Sequence, residues 1–169
     1  MHVRAEIHYP EASPQQTFRL AVDEKFRRAV CEATHSLRYD VSIVEADGGA
    51  TVVVERTIPA DVPDVAKRFV GDTVTVRQTE KWAPAPDATG RRRADLLLEV
   101  VGQPARMTGS VVIDPDDSGS RQLVEGDLRV SIPFLGKRLE PEITKVVLAA
   151  VRAEQRTGEA WLADQSPTG

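Results

Sequence analysis

A chain of 169 residues with 41% hydrophobic and 28% charged residues is long enough for one well-cored domain and too apolar to be disordered. Its formal net charge of -4 argues against binding to phosphate backbones, so nucleic acid is not an expected partner. The single cysteine, Cys31, excludes an intrachain disulfide and a cysteine-built zinc site.

Residues 1–9 alternate, with Val3, Ala5, Ile7 and Tyr9 on one face and Arg4, Glu6 and His8 on the other. That pattern predicts a strand, not the apolar block of a signal peptide. Pro10 ends it. Ser13 followed by Pro14 is a helix start, a capping side chain before a proline whose missing N–H costs nothing there. The first helix should run to about Ala21. Asp23 can cap a second, in which Phe26, Val30 and Ala33 fall at helical spacing. Cys31 lies in that stretch and reads as a packed thiol rather than a reactive one.

The period then changes to two. Leu37, Tyr39, Val41 and Ile43 alternate with polar residues up to Asp47, Gly48 and Gly49, and residues 52–58 answer as the second arm of a hairpin. Residues 63–70 predict one or two helical turns. Residues 73–82 alternate cleanly, with Val74, Val76, Gln78, Glu80 and Trp82 on one side. Further strands are expected over 94–101, 105–113 and 121–134, separated by Gly, Pro and Asp-rich turns. This makes seven strands, the last six a meander of neighbours. From Gly136 the helical period returns, with Leu139, Ile143, Val146, Val147 and Ala150 on one face. Pro141 suggests that the regular helix begins nearer Glu140. Continued to Leu162, it would span about 22 residues and ~33 Å. Gly158 should weaken it by ~1 kcal/mol relative to alanine. The domain is expected over 1–163, with 164–169 a loose tail. No apolar run approaches the ~20 residues of a membrane span. Stable membrane insertion is therefore not expected, and cytoplasmic residence is.

Strand, two short helices, an antiparallel meander and a long last helix is an order that resembles the helix-grip superfamily. That group holds the START lipid-transfer domains, the birch pollen allergen relatives and bacterial polyketide cyclases. The strand at 5–9 and the run Ile132-Pro133-Phe134-Leu135-Gly136-Lys137-Arg138-Leu139-Glu140 resemble an uncharacterised actinobacterial family within it. Only five of the 22 basic residues are Lys, which suits a GC-rich bacterial genome. The resemblance implies an α+β fold, a curved antiparallel sheet of about seven strands around a long C-terminal helix. It carries no functional residue across. Of the longer glycine-rich loop of plant members, only Gly48 and Gly49 remain.

A long helix over a curved sheet encloses a volume that bulky side chains must fill. With four Phe, two Trp and two Tyr, and alanines on the inner helical face, a gap is the favoured outcome. The residues expected to line it are Arg56, Gln78, Glu80 and Trp82 from the strands and Ile143, Val147 and Ala150 from the helix. Arg56 and Glu80 could pair there; the alternative places both at a rim facing water.

His2, His8 and His35 have no ligand-spaced neighbours, and Arg91, Arg92 and Arg93 read as a solvated strand start. Residues 114–125 imitate a calcium loop in spacing, but a hairpin turn explains the same Asp, Ser and Gly residues. No metal or cofactor is expected.

The leading function is non-catalytic binding of an apolar small molecule or lipid. An enzyme of the polyketide cyclase type, with Glu80 as its acid, is one alternative. The other is an interaction module, a homodimer included, docking through Trp161 and Leu162.

Overall fold

The structure is a computed structural model and describes residues 1–84 and 86–165. Strand β1 (His2–Pro10) leads into helices α1 (Pro14–Ala21) and α2 (Glu24–Ala33). The hairpin β2 (Arg38–Ala46) and β3 (Gly49–Pro59) follows, then the short helix α3 (Asp64–Val70). Strands β4 (Thr73–Trp82), β5 (Arg92–Val100), β6 (Ala105–Pro115) and β7 (Gly119–Val130) complete the meander, and helix α4 (Gly136–Gln165) closes the chain.

The sheet has seven antiparallel strands in the order β1-β7-β6-β5-β4-β3-β2. The meander is thus consecutive, and β1 returns to pair with the last strand, Ala5 opposite Val124. This is the helix-grip architecture expected from the order of elements.

Local chemistry sets the boundaries. Ser13 forms a capping box: its Oγ accepts from the Gln16 N–H at 3.2 Å, and Gln16 Oε1 accepts from the Ser13 N–H at 2.8 Å. Asp23 Oδ1 caps α2 through the Phe26 N–H at 3.1 Å. Asp47 and Gly48 both have positive φ, 54° and 78°, as a two-residue hairpin turn between twisted strands demands. The 114–125 segment is the expected hairpin, with Asp116 Oδ1 accepting from the N–H groups of Ser118 and Gly119 at 2.8 and 2.7 Å.

Helix α4 differs from expectation at both ends. It is 30 residues long, about 45 Å, and starts at Gly136 with Pro141 inside it. The turn residues feed the helix directly, since the Gly136 N–H donates to Ile132 O and the Leu139 N–H to Leu135 O. Leu139 anchors the first turn in an apolar cluster with Ala66, Ala105 and Val130, so a single missing backbone bond at Pro141 is tolerated. At the far end the helix runs through Gln165; of the expected loose tail, 166–169 lie outside the described residues. Ile143 and Val147 pack against the main core, whereas Val146, expected on the same face, is 37% exposed. No described helix is long and apolar enough to cross a membrane.

Candidate functional site

The helix does not seat fully on the sheet. Between them lies a cavity of about 100 Å³, measured as the space open to the centre of a water-sized sphere. One water needs ~10–15 Å³ on that measure. Val54, Leu98, Met107 and Val124 line its sheet side, and Ile143, Val147 and Ala150 its helix side. A second space of about 80 Å³ lies beyond, beneath α3, bounded by Val62, Val74 and Ile132. The two share Ile58, Val76, Val100 and Ile143 as walls.

Several polar groups gather at one end of this largely apolar surface. Arg27 of α2, 4% exposed, donates from Nη2 to Glu80 Oε2 at 2.5 Å and from Nε to Ala21 O at 2.8 Å. Glu80, 3% exposed, also accepts from Trp82 Nε1 at 2.9 Å and Gln78 Nε2 at 2.6 Å. Three donors therefore hold one buried carboxylate. Across the cavity, Glu154 of α4 accepts from Gln122 Nε2 at 3.0 Å. Burial pushes the Glu154 carboxyl above its ordinary range, and the neighbouring Arg27 offsets this only in part.

Of the expected site residues, Arg56, Gln78, Glu80, Ile143, Val147 and Ala150 line the cavity. Trp82 does not; it is buried beside it, edge-on to Phe18 with ring centroids 5.4 Å apart, and serves to hold Glu80. The expected Arg56–Glu80 pair is not formed. In the β3–β4 register Arg56 stands opposite Val76 and Glu80 opposite Val52, four residues along the strand and ~13 Å away. Arg27 takes that place. Nor does Glu80 sit at a watery rim.

Arg56 instead faces the Cys31 thiol, and burial pulls the guanidinium below its ordinary range. Cys31 itself is fully buried and its thiol is pushed up by burial, as a packed cysteine would be. The basic run also departs from expectation. Arg92 is buried, stacked 3.9 Å over the Phe18 ring, while Arg91 pairs with Asp114 at 2.5 Å.

Arg27, Gln122 and Glu154 were not singled out from sequence, although each interrupts an apolar face. Arg27 precedes Val30 and Cys31 by three and four residues, Glu154 follows Val147 by seven, and Gln122 alternates with Val124.

A family model described as a protein of unknown function, DUF2505, matches residues 4–162. The chain belongs to that family. This DUF2505 chain is 28% identical over 119 residues to the uncharacterized protein Rv0481c of Mycobacterium tuberculosis, covering 69% of this chain and 67% of that one. The expected actinobacterial family is thereby met. Among solved structures it resembles TTHA0849 of Thermus thermophilus, with TM-score 0.65 and 22% identity over 98% of this chain and all of that one. It also resembles a STAR-related lipid transfer protein of Xanthomonas axonopodis, with TM-score 0.58 and 11% identity over 92% and 84% of the two chains. At such identities the likeness is one of fold, the helix-grip fold described above.

Proposed function

We propose that this DUF2505 protein is a binding module that encloses an apolar small molecule or lipid between its sheet and α4. The observation that carries the reading is the unfilled, largely apolar cavity spanning Val54, Met107, Val147 and Ala150. Interiors are normally packed to the density of organic crystals, so a space several waters wide needs an occupant or a purpose. The similarity to a protein whose name records lipid transfer supports the same class of ligand. The cyclase alternative is less favoured, because Glu80, its nominated acid, already accepts from Arg27, Gln78 and Trp82, which tie the carboxyl group into the fold. The interaction module is not favoured either, since Trp161 and Leu162 pack against the cluster of Ile7, Tyr9 and Phe26.

The test is titration with Nile red, an uncharged dye that fluoresces in apolar surroundings. One dye should bind per chain, and Ala150→Phe should abolish binding with the fold unchanged. If the wild type binds no dye and Ala150→Phe lowers stability by about 1–3 kcal/mol, the core is already full and the proposal fails.

A further inference from the structure

Among the described residues, every charged group beside the cavity's polar end has a charged or amide counterpart except one. Arg27 and Glu80 hold each other, and Glu154 takes the Gln122 amide. Arg56 lines the cavity with no carboxylate at ion-pair distance among the described residues, and the Cys31 thiol is its polar contact. A guanidinium stays charged in proteins, so this side chain sets a cation without an ion-pair partner into a largely apolar space.

We propose that Arg56 is the receptor for the head group of the ligand, which is an amphipath bearing a single carboxylate. This rests on the cavity reading above and deepens it. The guanidinium fork matches a carboxylate with two parallel N–H···O bonds. A monoanion is favoured over a phosphate monoester, whose charge at neutral pH is about -1.5 to -2. Glu154 acts electrostatically on Arg56 and Glu80 lies on the same cavity wall, so a second negative charge would meet repulsion rather than a partner. The tail has a place to go. On the far side of the shared walls Ile58, Val76 and Ile143 lies the second space beneath α3, among Val62, Val74 and Ile132. The polar end and the apolar lobe thus lie in the order that a head and a chain require.

The test is displacement of Nile red from the intact protein by three probes of equal chain length: dodecanoate, dodecanol and dodecyl phosphate. Dodecanoate should displace at least tenfold better than dodecanol and better than dodecyl phosphate. In Arg56→Met, which breaks no ion pair, the advantage over dodecanol should vanish while dodecanol affinity holds. Arg56→Lys, which keeps the charge but not the fork, should restore part of it and guards against a folding artefact. Equal displacement by acid and alcohol in the wild type, or an acid preference that survives Arg56→Met, overturns the inference while the cavity stands. So does a preference for dodecyl phosphate. If Nile red does not bind the wild type at all, the cavity reading falls and the inference with it.

Discussion

Arg27 and Arg56 bring the same functional group to the same cavity and meet opposite surroundings. Arg27 is tied to Glu80 and to Ala21 O, so its loss strands a buried carboxylate. Arg27→Met should destabilise by about 3–5 kcal/mol, read as a lower denaturant midpoint at unchanged slope. Arg56→Met leaves no carboxylate behind and should fold at least as well as the wild type. A destabilisation by Arg56→Met as large as that of Arg27→Met would mean that Arg56 is structural. Strand alternation alone placed Arg56, Gln78 and Glu80 on the inner face. It could not give their partners, because those depend on the β3–β4 register and on where α2 crosses the sheet. A charged residue on an otherwise apolar helix face, as at Arg27 and Glu154, was the legible sign that both elements look into one polar spot.

Gly158 shows how an element can contradict its own propensity. In the interior of a helix glycine costs ~1 kcal/mol against alanine, and Gly158→Ala should stabilise on that ground. A Cβ at position 158, however, would lie 2.7 Å or less from the Tyr9 ring and hydroxyl. Tyr9 is buried and its hydroxyl donates to Glu154 O at 3.4 Å, so the ring cannot swing away freely. Gly158→Ala should therefore lower the melting temperature, and an increase would show that β1 and α4 can separate. The length of α4 was readable from its apolar spacing, but not its start. A proline this early usually marks the first regular turn of a helix, yet here the turn before Pro141 is held by tertiary packing of Leu139 rather than by its backbone bonds.

For the whole molecule, the proposed binding and the stability of the fold should be linked. A ligand that binds only the native state stabilises by about 2.7 kcal/mol at a concentration of 100 Kd. For a domain of this size each kcal/mol is worth ~2–4 °C, so dodecanoate at that level should raise the melting temperature by about 5–11 °C. Dye displacement without such a shift would place the binding outside the folded core. The global topology was legible because six strands follow one another through short turns, and connections of that kind leave few alternatives. Whether helix and sheet touch or stand apart was only half legible, since side-chain volumes say how much is missing and not where. The same strand order has another outcome. A sheet that begins at β1 and ends at β2 is not closed, and among the described residues the outer margin of β2 has no neighbouring strand. Val44 is exposed along it and Leu37 just ahead of it, interspersed with Arg38, Asp40 and Glu45. Those charges keep a second chain from zipping onto the margin. A variant that neutralised them should self-associate through this margin as its concentration rises, with the walls of the cavity untouched.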